Sequence, residues 1–144
     1  MSDEDWAQSV ELRVRCHDGP EEPAAFRAYA TAQGQTRRAM VEAGHGRWFG
    51  AFADGLLVCQ MGLFSGGPGL ARFQSVETSP DHRRRGLAGT LVAHVSRYGF
   101  DVLAARTLVM VADPDYHAID LYRSLGFAVT ETQLQAELPH AWRG

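Results

Sequence analysis

Three β-type segments separated by short turn segments are the feature that most constrains the fold. Residues 48–53 and 56–64 flank the pair Asp54-Gly55, and the glycine-rich stretch 65–69 separates them from a third segment, at about 70–78. An Asp-Gly pair between two β-type runs is a strong hairpin signal, because tight hairpin turns need positive φ at both positions. The glycine-rich stretch joins two strands and does not open a helix, so we interpret it as a turn. The sequence therefore predicts an antiparallel meander of three strands.

The segments around the meander predict helices and further strands. Alternating apolar and polar residues from Val10 to Cys16 predict a strand, followed by helices over 20–32 and about 35–43. Apolar residues at helical spacing predict a helix from Leu87, and the apolar run 107–112 is typical of a central strand covered on both faces.

The C-terminal part predicts one more helix over 118–125, with Gly126 as its C-cap, and a strand over 127–133. A last strand near 137–142 brings the total to seven. The predicted fold class is α/β, with a mixed central sheet of six or seven strands flanked by about four helices, in a single domain spanning 1–144. Because few residues remain for the last strand, either it is short or a second chain completes it in a homodimer.

Composition excludes several classes of function. Fourteen basic against seventeen acidic residues give a formal charge of −3, which argues against a nucleic-acid partner. All fourteen basic residues are arginine, so no lysine can act as a nucleophile. The acidic N-terminus lacks an apolar segment and the run 56–64 is too short to span a bilayer, so we expect a cytoplasmic protein without a membrane partner. The two cysteines are isolated and the histidines lack ligand spacing, so we expect reduced thiols and no metal.

The stretch 76–90 carries most of the chemical information, since it runs from a strand through a basic loop and a glycine into a helix. The first turn of a helix offers unpaired N–H groups and a partial positive charge, which suit a phosphate. Arg83, Arg84 and Arg85 add charge-assisted donors beside that turn. The alternative interpretation is a solvated run of charge.

A second segment, Ala118 to Phe127, completes a recognisable pair. The chain resembles the GNAT superfamily of acyl-CoA N-acyltransferases, whose pyrophosphate-loop pattern Arg/Gln-x-x-Gly-x-Gly/Ala is matched by Arg83 to Ala88. The later helix of that family commonly reads Ala-hydrophobic-x-Leu-Tyr-x-x-Leu-Gly-Phe, as residues 118–127 do here. The matched motifs cover about residues 74–127.

The resemblance implies a binding site for acetyl-CoA. Backbone groups of Val76 and Thr78 would contact the pantetheine arm, and a splay between this strand and 107–112 would admit it. The pyrophosphate would lie against a continuous stretch made of Arg83, Arg84, Arg85, Gly86, Leu87, Ala88, Gly89 and Thr90. Asp115 stands where several family members carry a CoA-contacting Asn, but Asp lacks the amide donor of that contact. Asp is also a good N-cap residue, and capping of the following helix is the interpretation that we favour.

The resemblance also implies catalytic roles. Tyr122 matches the frequent general acid, and a phenol with a pKa of about 10 carries the proton that a departing thiolate needs; the alternative is a core tyrosine. Glu77 is the nearest carboxylate for the general base, although a loop-capping role or deprotonation through water would also fit. Strand alternation groups Glu77 with Phe73 and Ser75, and groups residues 72, 74 and 76 on the opposite face.

The expected function is transfer of an acetyl group from acetyl-CoA to an amine by direct attack in a ternary complex. The acceptor is a small molecule, a peptide N-terminus or a lysine of another protein, and the acidic residues before Ala24 favour a cationic one. Arg72 at a position where relatives often carry a base, together with Asp115, favours instead a catalytically inactive CoA-binding regulatory or interaction module. A bare phosphate-binding protein is a third alternative.

Overall fold

The computed structural model describes residues 1–113, 115 and 117–133. A short 3₁₀ turn, Pro80–His82, precedes the third helix. The regular elements of this part are, in chain order, α1 (Asp3–Cys16), α2 (Pro23–Glu42), β1 (Gly46–Ala53), β2 (Leu56–Gly67), β3 (Leu70–Thr78), α3 (Leu87–Asp101), β4 (Thr107–Val109) and α4 (Ala118–Ser124).

The strands form one mixed sheet in the order β1-β2-β3-β4. Strands β1, β2 and β3 are antiparallel, which confirms the predicted meander. Asp54 and Gly55 take φ values of 50° and 79°, as the hairpin signal requires. Strand β4 returns parallel to β3, so the α/β class is confirmed, but the described residues form four strands rather than six or seven.

The first predicted strand is wrong, because residues 10–16 belong to helix α1. Ser2 and Asp5 form a capping box, and acidic residues occupy the first turn. Trp6, Ser9 and Leu12 are buried at three-residue spacing, which is the stripe of a helix. The alternation from Val10 to Cys16 covers only seven residues, and so short a segment does not distinguish the period of two of a strand from the period of about 3.6 of a helix.

The two helices predicted over 20–32 and 35–43 are one continuous helix, α2. Gly34 lies inside it and faces α1, where a Cβ atom would come within 2.9 Å of Val10 Cγ2. The glycine therefore allows close packing of the two helices and does not break the second one.

The C-terminal strand predictions also need correction. Strand β4 ends at Val109, and Val111, within the predicted central strand, is 48% exposed. No strand pairs with the other edge of β4 in the part that the structure describes, and residues 127–133 form no strand. The strand that is buried as a central strand is β2, and not the segment 107–112. The possible strand 137–142 lies outside the described residues.

Apolar side chains pack in two clusters, one on each face of the sheet. Trp6 of α1 meets Trp48 and Phe64 on one face. The larger cluster lies between the sheet and helices α3 and α4, and its buried members are Cys59, Met61, Leu63, Ala71, Phe73, Val92, Val95, Ala105 and Tyr122. Helix α3 approaches the sheet closely at Gly99, where a Cβ atom would lie 2.8 Å from Leu108.

Candidate active site

The main cleft opens where β3 and β4 separate. The two strands pair only from Leu70–Thr107 to Arg72–Val109, whereas β3 continues to Thr78. The resulting cleft has a volume of about 820 Å³. Its walls are residues 75–78 of β3, residues 110–113 after β4, the start of α3, helix α4 and the connection between α1 and α2. The predicted splay between these strands is therefore present.

A β-bulge in β3 shapes one wall of the cleft. Gln60 pairs with Glu77 and Gly62 pairs with Gln74, so Met61 alone faces two residues, Ser75 and Val76. Ser75 takes a φ of 51°, which is uncommon for a residue with a side chain.

The bulge changes which side chains share a face. Val76 packs with Phe73 in the cluster beneath α3, whereas Ser75 and Glu77 contact side chains of α2 and α1. The predicted grouping of Phe73, Ser75 and Glu77 on one face is therefore wrong, because it assumed an uninterrupted period of two.

The basic end of the cleft lies at the start of α3. Gly86 caps the helix with a φ of 75°, which glycine adopts without strain. By helix geometry the N–H groups of Leu87, Ala88 and Gly89 have no intrahelical acceptor, whereas the N–H of Thr90 donates to the Gly86 carbonyl over 3.0 Å. The amide of Thr90 is therefore already used.

The arginines of the loop are placed differently from one another. Arg83 and Arg84 line the cleft, and Arg83 Nε donates to the Thr78 carbonyl over 3.2 Å. Arg85 is exposed and is not among the described residues that form the wall. Two of the three arginines of the loop therefore contribute to the cleft wall.

Tyr122 lines the cleft from α4 and is also a core residue. It is 7% exposed and belongs to the cluster beneath the sheet, with its ring 6.3 Å from that of Phe127. The core-tyrosine interpretation therefore describes its position, and the general-acid role stays a prediction for a residue of the cleft wall.

Asp115 does not cap the helix that follows it. The N-cap of α4 is His117, and the Asp115 N–H donates to Asp113 Oδ1 over 2.9 Å. The N-cap interpretation of Asp115 is therefore wrong, and among the described residues that form the cleft wall this region contributes Asp113 and His117 rather than Asp115.

Glu77 lies in the cleft wall with both carboxylate oxygens engaged. Oε1 accepts a hydrogen bond from Arg13 Nη1 over 2.5 Å, and Oε2 accepts one from Gln60 Nε2 over 2.7 Å. The side chains of Arg13 and Glu77 are 18% and 15% exposed, so this ion pair is largely shielded from water. Glu77 is held by side chains of α1 and β2, and the loop-capping interpretation does not apply.

Gln60 fixes the orientation of that carboxylate. It is fully buried, and its Oε1 accepts hydrogen bonds from Ser9 Oγ over 2.5 Å and from Trp48 Nε1 over 3.0 Å. Because two donors hold the oxygen, the amide nitrogen must point the other way, where it donates to the Ser9 carbonyl and to Glu77. Trp48 is buried beneath this network.

A second buried arginine lies behind the bulge. Arg37 of α2 is 8% exposed, and its Nη2 donates to Ser75 Oγ over 2.6 Å and to Gln33 Oε1 over 3.1 Å. Its guanidinium lies 4.9 Å from the ring centre of Trp48. Burial lowers the pKa of the Arg37 guanidinium, and the neighbouring charge of Arg13 lowers it further.

Sequence reasoning missed Arg13, Arg37, Gln60 and Ser75. Gln60 alone left a signal, since one amide inside the apolar run 56–64 must find partners once that strand is buried. The others are far apart along the chain, and no local pattern joins them.

The cysteines are not reactive groups of this site. Both are free, and Cys16 lines the cleft. Burial and the charge of Glu77 raise the pKa of Cys16 from 9.0 to about 11, so the thiol is protonated at neutral pH. Within residues 1–113, 115 and 117–133, no group of His, Cys, Asp or Glu could hold a metal ion, and no helix could cross a membrane.

The model of the acetyltransferase (GNAT) family matches residues 6–127. The chain belongs to the GNAT family. This membership confirms the resemblance drawn from the arginine loop and the tyrosine helix.

Solved structures share the GNAT fold at low sequence identity. The aminoglycoside N-acetyltransferase AAC(6')-Iy in complex with CoA is 21% identical, covers 96% of this chain and 91% of its own, and superposes with a TM-score of 0.73. The PaiA N-acetyltransferase of Thermoplasma acidophilum, also in complex with coenzyme A, is 15% identical, with coverages of 92% and 89% and a TM-score of 0.74. The ribosomal-protein-alanine N-acetyltransferase of Brucella melitensis biovar Abortus 2308 is 17% identical, with coverages of 94% and a TM-score of 0.71. No significant match is found among curated proteins.

Proposed function

We propose that the protein transfers an acetyl group from acetyl-CoA to an amine by direct attack in a ternary complex. The observation that carries the proposal is the set of chemical groups that line one cleft. The set includes a helix N-terminus with two arginines, together with Tyr122 and Glu77. Such a set suits a ligand that carries both phosphates and a reactive thioester.

The described residues fit acetyl-CoA in chemical character. The free N–H groups of Leu87, Ala88 and Gly89, together with Arg83 and Arg84, suit the pyrophosphate. Space is open around Gly86, where an added Cβ would meet no atom within 4 Å. The edge of β3 at Val76 and Thr78 carries backbone groups for the amides of the pantetheine arm, since β4 no longer pairs with it there.

The chemistry requires two proton movements. The amine nitrogen forms a bond to the thioester carbon and loses a proton, and the carbon–sulfur bond breaks. We assign the first proton to Glu77, directly or through water, and assign donation of a proton to the departing sulfur to Tyr122. The products are then the acetamide and CoA with a free thiol.

The substitution Tyr122→Phe tests the general acid. We expect kcat to fall by about 10²-fold or more, as for loss of a general acid, with little change in CoA affinity. Release of CoA thiol reports turnover, and calorimetry with CoA reports binding. Tyr98→Phe is the matched control, since Tyr98 of α3 packs against Phe49 of β1 and is not among the described residues that line the cleft.

Three outcomes distinguish the candidates. Equal turnover by Tyr122→Phe and the Tyr98 control would refute the acid role alone. CoA binding without thiol release across a wide panel of amines would refute transfer and favour the CoA-binding module. Absence of CoA binding would refute both and leave only a phosphate-binding protein.

A further inference from the structure

The acidic residues near the N-terminus are mostly used away from the cleft. Of the seven before Ala24, only Asp18 lines the cleft. Five others form surface ion pairs or helix caps: Asp3 with Arg38, Asp5 with Ser2, Glu11 with Arg27, Glu21 beside His17, and Glu22 with the N–H of Ala25. The expectation of a cationic acceptor relied on this cluster, and its basis is removed.

The buried charges beside the bulge are positive in sum. The charge of Arg13 acts on Arg37, and Glu77 is the one carboxylate among the described residues that acts on both, through an ion pair with Arg13. Arginine keeps its proton even when buried. Arg13 in the cleft wall and Arg37 behind it therefore place two guanidinium groups against one carboxylate, largely shielded from water.

Two donors beside Glu77 are incompletely used. Ser75 Oγ accepts its hydrogen bond from Arg37, and in the described part of the chain the Ser75 hydroxyl donates to no group, so its proton is available. Arg13 donates to Glu77 through Nη1, whereas its buried Nε has no partner there. Shielded donors are normally satisfied, and among the described residues these two donors are not.

We infer that the acceptor is a small amine that also carries a carboxylate, such as an amino acid. The Ser75 hydroxyl donates to the carboxylate, and Arg13 and Arg37 contribute positive charge, Arg37 through Ser75. The amino group then lies between this wall and the thioester, with Glu77 beside it. The inference rests on the proposed acetyl transfer and specifies the substrate class of the same cleft.

The same charges disfavour a polycation. A second positive charge on the acceptor would lie near two shielded guanidinium groups, where repulsion is stronger than in water. A carboxylate instead neutralises the surplus charge. The expected substrate class therefore differs from the aminoglycosides named for the AAC(6')-Iy structures, although the fold is shared.

Paired amines that differ in one group test the inference. The probes are leucine against leucinamide, β-alanine against β-alaninamide, and spermidine as a polycation, each with acetyl-CoA. Thiol release and the mass of the acetylated product are measured. We expect kcat/KM for at least one carboxylate to exceed that of its carboxamide by about tenfold or more, as for one charge-assisted hydrogen bond. Amine basicity cannot produce that preference, because the carboxamides hold more neutral amine near pH 7.5.

Two variants locate the preference in the protein. Ser75→Ala keeps the Cβ atom at the bulge and removes the donor, so we expect the carboxylate-to-carboxamide ratio of kcat/KM to fall several-fold. Ser65→Ala, at an exposed position of β2, is the control and should retain the ratio. An equal fall in both rates for Ser75→Ala would indicate a structural role and overturn the assignment.

Failure of this inference differs from failure of the proposed function. Carboxamides or spermidine turned over as well as the carboxylates would overturn the acceptor class and leave acetyl transfer intact. No thiol release with any amine would overturn both.

Discussion

The two sides of the cleft are built in opposite ways. The cofactor side comes from nearly continuous chain, from Val76 through the arginine loop to Gly89, and its geometry follows from one strand, one turn and one helix start. The acceptor side joins Arg13 to Glu77 across 64 positions of sequence and Ser9 to Gln60 across 51. Backbone groups dominate the first side, and buried side chains dominate the second. Substitutions should therefore affect chemistry and stability strongly and together on the acceptor side, and mainly CoA binding on the cofactor side.

The largest effect is expected for Glu77→Gln on the acceptor side. Removing the charge takes away the proton acceptor and leaves Arg13 without its counter-ion, so kcat/KM should fall by about 10²-fold or more. Steady-state thiol release measures this. Glu11→Gln removes an exposed carboxylate paired with Arg27 and should change little. Equal activity of the two variants would show that Glu77 is not the base.

The next largest effect is expected for Gln60→Met. Methionine has similar volume but leaves Trp48 Nε1 and Glu77 Oε2 without the hydrogen bonds that Gln60 forms with them, which should cost about 2–4 kcal/mol of unfolding free energy. Urea denaturation measures this cost. Gln35→Met on the exposed face of α2 should change stability by less than about 0.5 kcal/mol. A cost for Gln60→Met as small as that of the control would mean that the network is not tightly coupled.

A smaller effect is expected for Gly86→Ala on the cofactor side. Gly44 is a matched control, since it also has a positive φ, 80° against 75°, and an added Cβ would meet no atom within 4 Å at either position. Both alanine variants should lose about 1 kcal/mol of stability through left-handed backbone strain. Calorimetry should show weaker CoA binding only for Gly86→Ala, by about threefold to tenfold, because relief of strain shifts that loop. Equal CoA affinities would exclude the loop from the binding site.

The smallest effect is expected at high pH. The pKa of Cys16 is raised by burial, so the folded state favours the protonated thiol. The contribution of the protonated Cys16 thiol to the free energy of unfolding is complete below pH 9 and is lost as the pH rises through about 11. Chemical denaturation at pH 8 and pH 10 should show a larger drop for wild type than for Cys16→Ser. Identical drops would show that Cys16 ionises as readily in the folded as in the unfolded chain.

The contrast between the two sides also explains what sequence could predict. The hairpin at Asp54-Gly55 and the glycine at the start of α3 depend on local rules, and the splay of the strands was implied by the family resemblance; all three are observed. Helix α1 was mistaken for a strand because the alternation from Val10 covers only seven residues, whereas its capping box lies at Ser2 and Asp5. The contacts of Glu77 were beyond prediction, since they require the folded positions of α1 and β2.

The position of Asp115 shows a different limit. The rule that Asp favours helix N-caps is sound, yet α4 begins two residues later than that rule placed it. Helix boundaries are determined by the surrounding packing as well as by local preference, so an N-cap residue can be correct in type and wrong in place.

The single extra residue of the β3 bulge has a consequence for how this strand can change by mutation. Before the bulge, alternate side chains from Ala71 to Phe73 enter the apolar layer beneath α3; after it, the alternation is inverted and Val76 enters that layer instead. Deleting Ser75 would remove the bulge, pair Val76 with Met61 and leave Val76 and Glu77 on the faces they now occupy. An unbulged strand of the present length would instead place an ionised carboxylate in the apolar layer and a valine beside Arg13. The bulge thus acts as a phase shift in the strand, which accommodates Ser75 as an additional residue and keeps Glu77 beside Arg13.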